Sequence, residues 1–198
     1  MDIILIRHGQ TEDNADRIFS TKDTKLTEKG REQIKNTKKI VDTLSFDKVY
    51  VSPLYRAIET MEILGLEGEK EERIKEVDFG LFEGNSYEAL KEKFPEEVKQ
   101  WDENYINYVT PEGESIKLAY ERVTSFLEEI SKKDEDVVLV CHDGVIRIAL
   151  SWVFNNIDYF FKFKVENGSI NIISIDEYGF KYIEKTNYTI KPKLLQNL

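Results

Sequence analysis

Several residue types that define whole classes of protein are scarce in this 198-residue sequence. The single cysteine, Cys141, excludes an internal disulfide, and the sequence has no Cys-x-x-Cys pair of the kind that binds zinc. No apolar run approaches the length needed to span a bilayer. Residues 1–6 give way to the charged Arg7 before the apolar region of a signal peptide could develop. We therefore expect a cytoplasmic protein that does not contact membranes.

Positive charge is also in short supply. The chain has 28 Lys and Arg side chains against 38 Asp and Glu, a net charge of −10. This charge repels polyanions, so we expect no nucleic-acid partner and no anionic membrane surface. The hydrophobic fraction of 40% is that of an ordinary globular protein, and the length favours a single domain over residues 1–198. The sequence gives no indication of oligomeric state.

Short apolar runs alternate along the chain with helical patterns, as in α/β proteins. The predicted strands are residues 3–6, 49–51 and 137–141. The last of these is apolar on both faces, which is typical of a buried parallel strand. Apolar residues at helical spacing predict helices over residues 34–44, 119–130 behind a Ser115 N-cap, and 145–154.

Two further local signals indicate where a helix and a strand begin. Ser52 is interpreted as an N-cap and Pro53 as the first residue of a helix that contains Ala57, Met61 and Leu64. Asn167 and Gly168 predict a hairpin turn before a C-terminal strand that contains Ile170 and Ile172.

These elements predict an α/β fold, a three-layer α/β/α sandwich around a mostly parallel sheet that allows an antiparallel edge strand. Residues 78–113 do not follow the alternation and are interpreted as a helical insertion lobe. Six aromatic residues of this lobe either line a pocket or pack the lobe itself, and packing is favoured for most of them: Phe79, Phe82, Tyr87, Trp101, Tyr105 and Tyr108.

The two histidines of the chain occupy equivalent places. His8 follows the predicted strand at residues 3–6, and His142 follows the strand at 137–141. Ligands of open α/β sheets bind at the carboxyl ends of the strands. Either histidine alone is more often a structural or solvated residue, but the pair favours a shared functional site.

Two arginines are candidates for the same site. Arg7 precedes His8, and Arg56 lies near the start of the predicted helix after Ser52, where the helix dipole favours an anion. Alone, Arg56 reads as a surface residue paired with Glu59. Together, the two guanidinium groups have the planar, multi-donor geometry suited to phosphate. We interpret the set as an oxyanion cage around a histidine.

Six short stretches contain these residues in a fixed order. They are LIRHGQTEDN (5–14), LTEKG (26–30), VSPLYRAIET (51–60), IKEVDFGLFEG (74–84), PEGES (111–115) and VLVCHDGVIRIAL (138–150). As an ordered set covering about residues 3–150, they resemble the histidine phosphatase superfamily, also called phosphoglycerate mutase-like. At 198 residues the chain resembles its short phosphatase branch, which includes broad-specificity phosphatases, α-ribazole phosphatase and sugar bisphosphatases.

The resemblance implies hydrolysis of a small phosphomonoester through a phosphohistidine, without a metal or other cofactor. His8 is then the nucleophile, and Arg7, Arg56 and a protonated His142 stabilise the transferred phosphoryl group. Glu76 matches the residue that protonates the leaving group, with Glu83 as its competitor.

The resemblance also places Asn14, Glu83, His142 and the two arginines among the substrate-binding residues. The chain departs from the family pattern at Gln10, Ser20, Thr21, Lys25 and Asp143. None of these departures removes a catalytic group. Asp143, which stands where the family has glycine, adds a negative charge beside the cage.

Three alternatives remain open at this stage. The first is phosphoryl transfer of the cofactor-dependent phosphoglycerate mutase type. The second is a metal-dependent hydrolase with His8, His142 and Asp143 as ligands, although two arginines beside a dication would be electrostatically unfavourable. The third is a catalytically inactive binding module, which would be expected to have lost one of the charged residues.

Overall fold

The computed structural model describes residues 1–190. Its sheet has six strands, in the spatial order β3-β2-β4-β1-β5-β6. In chain order they are β1 (Asp2–Arg7), β2 (Lys48–Val51), β3 (Glu69–Lys70), β4 (Val137–Cys141), β5 (Ile170–Ile175) and β6 (Lys181–Tyr188). Strands β3, β2, β4 and β1 are mutually parallel, β5 is antiparallel to β1, and β6 is antiparallel to β5. The mostly parallel sheet with an antiparallel edge is as predicted.

Seven α-helices accompany the sheet in the described part of the chain. They are α1 (Glu12–Asp16), α2 (Glu28–Val41), α3 (Tyr55–Leu64), α4 (Tyr87–Lys93), α5 (Pro95–Glu103), α6 (Ile116–Ile130) and α7 (Asp143–Val153). Short 3₁₀ helices cover Glu72–Ile74, Gly80–Phe82 and Ile157–Lys162. The predicted helices at 34–44, 119–130 and 145–154 correspond to α2, α6 and α7, and Ser115 caps α6 by accepting a hydrogen bond from the Leu118 N–H.

Alternating side chains of β1 point into two different cores. Ile3 and Leu5 pack with residues of α6 and α7, whereas Ile4 and Ile6 pack with residues of α2 and α3. Successive side chains of a strand face opposite sides of a sheet, so helices must cover both faces. This arrangement is the predicted three-layer sandwich.

Residues 78–113 contain α4 and α5, which enclose a small core of their own formed by Phe82, Leu90 and Val98. The interpretation of this stretch as an insertion in one domain remains a prediction. The predicted domain also extends over residues 191–198, which lie outside the described residues. No helix within residues 1–190 combines the length and the apolar composition that a bilayer crossing requires.

Two local predictions were wrong. Helix α3 begins at Tyr55 rather than Pro53, because the residue just after β2, Ser52, is held beside β4 by a hydrogen bond from its N–H to the Val140 carbonyl. Residues 166–169 do form a turn, with Gly168 at φ 70°, but this turn does not join two paired strands. β5 pairs with β1 from the start of the chain, and the hairpin of this region is β5–β6.

The aromatic packing between α6 and the sheet gives a stability prediction. Phe126 is 1% exposed, and its ring meets that of Tyr50 edge to face at 5.1 Å. Replacing Phe126 by alanine leaves a cavity and is expected to lower the free energy of unfolding by about 3–5 kcal/mol in urea denaturation. Phe180→Ala is the matched control, since Phe180 is 63% exposed. Equal effects of the two substitutions would contradict this packing.

Candidate active site

The two histidines meet at one edge of the sheet. β1 and β4 are parallel neighbours with Arg7 in register with Cys141, so the residues that follow them, His8 and His142, emerge side by side. Their ring centroids are 5.2 Å apart, and both residues are buried. The convergence expected from the strand ends is therefore present.

The backbone fixes the proton on the His8 ring. Its Nδ1 lies 2.8 Å from the Gly9 carbonyl, and because a carbonyl oxygen can only accept, Nδ1 carries the hydrogen. The lone pair of the neutral ring is then on Nε2. Gly9 is required here, since a Cβ at this position would lie 2.5 Å from the Gly30 carbonyl oxygen.

Both arginines lie at this site and are held by distant backbone carbonyls. Arg7 Nη1 donates to the Val165 carbonyl at 2.5 Å and lies 3.6 Å from a carboxylate oxygen of Asp143. Arg56 is 2% exposed, and its Nη1 donates to the Thr21 carbonyl at 2.9 Å. The alternative interpretation of Arg56 as a surface residue is wrong, because Glu59 pairs with Arg31 instead.

Side-chain polar atoms without hydrogen bonds are concentrated at this one place. Within residues 1–190, the buried atoms without a partner are Arg7 Nε, Arg56 Nε, His142 Nδ1, Asp143 Oδ1 and Arg147 Nε. Buried polar groups in proteins are ordinarily hydrogen-bonded, so such a group usually has a functional explanation. Several donors converging in this way are suited to an anion with several oxygens.

Ser52 is a site residue that the sequence reasoning missed. Its side chain is buried, and its Oγ lies 2.7 Å from Nε2 of His142. The Ser-Pro pair before a helical pattern favoured an N-cap interpretation, which concealed this role. The signal available in the sequence was that Ser52 directly follows β2, the strand beside β4.

The pKa values of both imidazoles are lowered well below 6.5. Burial is the main cause for each ring, and the positive charge of Arg56 lowers both values further. A neutral His8 is the form required of a nucleophile. Burial and the positive charge of Arg56 favour the neutral form of His142 in the unliganded site. The protonated His142 was expected with a phosphoryl group bound, and it stays a prediction.

Glu76 lies at the N-terminus of α7. Its Oε1 accepts hydrogen bonds from the Gly144 N–H at 3.1 Å and from the Val77 N–H at 3.0 Å. Burial, followed by the nearby charge of Asp143, raises the pKa of Glu76, while Arg56 opposes the shift. A Cβ at Gly144 would lie 2.4 Å from Oε1, so a larger residue there would displace the carboxyl from this position.

The structure places the two remaining candidates differently. Glu83 and Glu76 line the same cavity of about 380 Å³, together with Arg56. Burial and the charge of Asp78 raise the pKa of Glu83. Asn14 uses its carbonyl oxygen to accept from the Thr11 N–H and from Asn167 Nδ2, so it fixes the loop after His8.

No group of three or more His, Cys, Asp or Glu side chains within residues 1–190 is arranged to hold a metal ion.

The family model of the histidine phosphatase superfamily (branch 1) matches residues 3–188. The chain belongs to this superfamily.

Two curated relatives of this histidine phosphatase illustrate its range of similarity. Phosphoserine phosphatase 1 of Hydrogenobacter thermophilus is 33% identical over 183 residues, which cover 88% of this chain and 87% of that protein. The 6-phosphofructo-2-kinase/fructose-2,6-bisphosphatase of Gallus gallus is 31% identical over 152 residues. That match covers 76% of this chain but only 32% of the length of the relative.

Solved structures show the same fold. The α-ribazole phosphatase of Shigella flexneri matches with a TM-score of 0.88 and 26% identity, over 95% of this chain and 96% of that one. A phosphoserine phosphatase variant of Entamoeba histolytica, in complex with phosphoserine, matches with a TM-score of 0.82 and 27% identity, over 96% and 98% of the two chains.

Membership confirms the resemblance found in the sequence. It also confirms the predicted reaction class, hydrolysis of a phosphate ester through a phosphohistidine, and the mutase-type alternative is not favoured.

The aromatic residues of the 78–113 stretch are divided between two roles in this histidine phosphatase. Phe82 is fully buried and packs with Tyr87 and Tyr108 in the small core of the stretch. Phe79 and Trp101 pack against the same core, but they also line a second cavity of about 170 Å³ beside Glu76. Packing therefore accounts for most of these residues.

Proposed function

We propose that this chain is a metal-independent phosphatase for a small-molecule phosphomonoester, with His8 as the nucleophile. The single observation that supports this most strongly is the convergence of two imidazoles and two guanidinium groups, several of whose buried donors have no partner within residues 1–190. The net charge of −10 supports a small substrate rather than a nucleic acid or an anionic membrane surface, both of which it repels.

In the first step, Nε2 of neutral His8 attacks the phosphorus atom and the bond to the ester oxygen breaks. The charge on the phosphoryl oxygens is stabilised by Arg7 and Arg56, whose positions are fixed before the reaction begins. Preorganised charge of this kind supplies what a metal dication supplies in other phosphatases.

His142 contributes as a neutral donor in this proposal. The Ser52 hydroxyl donates to Nε2 of His142, which places the ring hydrogen on Nδ1, the buried atom that has no partner within residues 1–190. Nδ1–H then donates to a phosphoryl oxygen. Ser52 is thus a positioning residue that selects the tautomer of His142.

Glu76 acts as the general acid in the first step and as the general base in the second. In its protonated form it donates to the leaving alkoxide, so the alcohol departs neutral. The resulting carboxylate takes a proton from water as the water oxygen bonds to phosphorus and the P–N bond breaks. This step releases inorganic phosphate and restores neutral His8 and protonated Glu76. Glu83, which lines the adjoining cavity, binds the substrate rather than transferring this proton.

Metal independence gives a direct test of the proposed function. The activity toward p-nitrophenyl phosphate is expected to stay unchanged after dialysis against EDTA, because guanidinium groups hold the phosphoryl oxygens. Vanadate, which adopts the five-coordinate geometry of the transferred phosphoryl group, is expected to inhibit. Loss of activity in EDTA that added metal restores would support the metal-hydrolase alternative instead.

The pKa shifts predict the pH dependence of kcat/KM. His8 must be neutral and its pKa lies well below 6.5, so activity falls on the acid side only below that value. Glu76 must be protonated, and its pKa is raised above 4.5, so activity toward an alkyl ester falls as the pH rises through this higher value. p-Nitrophenyl phosphate needs no leaving-group proton and should lack this alkaline fall. The same alkaline fall for both esters would contradict the assignment of Glu76.

A further inference from the structure

Asp143 lies between two arginines at the start of α7. One of its carboxylate oxygens, Oδ1, is 3.6 Å from Nη1 of Arg7, and the other, Oδ2, is 2.8 Å from Nε of Arg147. Asp143 and Arg147 are four residues apart on the helix, so they project from the same face. The carboxylate thus connects the phosphate-binding Arg7 to a second guanidinium that the catalytic steps do not use.

The Asp143–Arg147 ion pair contains polar atoms that make no hydrogen bond within the described part of the protein. Within residues 1–190, Asp143 Oδ1 and Arg147 Nε are both buried atoms without a hydrogen-bond partner, although Arg147 Nε lies 2.8 Å from the other carboxylate oxygen, Oδ2. A buried acceptor and a buried donor therefore remain side by side. Such a pair is matched by a ligand that itself has adjacent positive and negative groups.

Both side chains line the cavity of about 170 Å³ that adjoins Glu76. The guanidinium of Arg147 is held over aromatic rings, 5.8 Å from the ring centre of Phe160 and 5.9 Å from that of Phe161. These contacts fix its plane, which favours bidentate binding of a carboxylate. The position beside Glu76 is where the leaving group of the ester must lie.

The larger cavity, of about 380 Å³, that Glu76 also lines offers less. Of the arginines that line it, Arg56 belongs to the phosphate site, and the other two are paired, Arg73 with Glu71 at 2.8 Å and Arg122 with Glu114 at 2.5 Å. Within residues 1–190, neither Arg73 nor Arg122 has a buried nitrogen without a hydrogen-bond partner, whereas the Asp143–Arg147 pair keeps two buried polar atoms without one.

We propose that the Asp143–Arg147 cavity binds the amino-acid part of a hydroxy-amino-acid phosphomonoester such as phosphoserine. This inference rests on the proposed function. Arg147 binds the α-carboxylate and Asp143 binds the α-ammonium group. These two groups are attached to the same carbon atom, so their separation matches that of the two adjacent side chains. The small cavity accommodates a three-carbon group, whereas a riboside with a fused aromatic base is too large for it.

The same geometry discriminates against close analogues. 3-Phosphoglycerate has the carboxylate but no ammonium group, so Asp143 would face a second negative charge. Phosphoethanolamine has the ammonium group but leaves Arg147 without an anion. Because unpaired buried polar groups are costly, each analogue is expected to show a kcat/KM about tenfold or more below that of phosphoserine. α-Ribazole 5′-phosphate is expected to be poorer still.

The test compares these four esters and p-nitrophenyl phosphate with the wild-type enzyme and two variants. Arg147→Gln is expected to lower kcat/KM for phosphoserine by about ten- to a hundredfold, mainly through KM, because a charge-assisted pair is lost. Activity on p-nitrophenyl phosphate, which lacks both groups, is expected to change less than about threefold. Arg147→Lys should recover part of the loss on phosphoserine. Lys132→Gln, which removes an exposed positive charge elsewhere, is the control and should change neither.

Two results would overturn this inference while leaving the proposed function intact: p-nitrophenyl phosphate hydrolysis without a preference for phosphoserine, or a loss in Arg147→Gln that is the same for every ester. A wild-type enzyme that hydrolyses none of the five esters would instead count against the proposed function. A preference for phosphoserine that Arg147→Gln removes, with p-nitrophenyl phosphate turnover retained, would establish the site.

Discussion

Replacing His8 by alanine is expected to abolish phosphatase activity, with kcat on any phosphomonoester falling by about 10⁴-fold or more, a barrier increase of at least about 5.5 kcal/mol. Nε2 of this ring is the only atom in the proposed mechanism that bonds to phosphorus before water does. The loss should be the same for alkyl and aryl esters, because no leaving group avoids the need for the nucleophile. Single-turnover assays with p-nitrophenyl phosphate give the most sensitive measurement.

The fold of the His8→Ala variant has to be checked separately, since His8 is buried and its carbonyl accepts a hydrogen bond from the Gly168 N–H. That bond belongs to the backbone and survives the substitution. We therefore expect an unfolding transition like that of the wild type, measured by circular dichroism. Near wild-type turnover by a folded His8→Ala protein would refute the nucleophile assignment.

Glu76→Gln should divide substrates by their leaving groups. The amide keeps the shape of the side chain but cannot give up a proton, so kcat/KM for an alkyl phosphate is expected to fall by about 10²- to 10⁴-fold. p-Nitrophenolate leaves without a proton, and its kcat/KM, which reports the first step, should fall much less. Its kcat should still fall, because no base then activates water in the second step.

Glu83→Gln is the matched control for this comparison, since Glu83 lines the same cavity as Glu76. It should lower kcat/KM for both ester types to a similar, smaller extent. If Glu83→Gln showed the leaving-group dependence and Glu76→Gln did not, the two carboxyl groups would have to exchange roles.

The convergence of His8 and His142 was predictable from the sequence because it depends on one rule, that parallel strands present their carboxyl ends at one edge. The apolar runs that define β1 and β4 are unambiguous, so the residues after them could be placed without a structure. Arg56 followed from the same reasoning about the helix after β2, although that helix begins later than predicted.

Other features of the site depend on contacts between distant parts of the chain that no local pattern records. Arg7 is held by the carbonyl of Val165, and Ser52 reaches His142 across neighbouring strands. The partner of β5 could not be read from the Asn167–Gly168 turn, because a turn signal does not say which strand will pair. The lowered pKa of His142 results from burial and from the charge of Arg56, which only the packed structure defines.

The most direct test of the mechanism uses Glu76→Gln with ³²P-labelled p-nitrophenyl phosphate. The first step proceeds in this variant and the second is slow, so a phosphoenzyme should accumulate. The expected result is a burst of p-nitrophenol equivalent to the enzyme, with an acid-labile phosphoryl group that peptide mapping places on His8. The absence of protein-bound phosphate during the burst, or label on any other residue, would contradict the account.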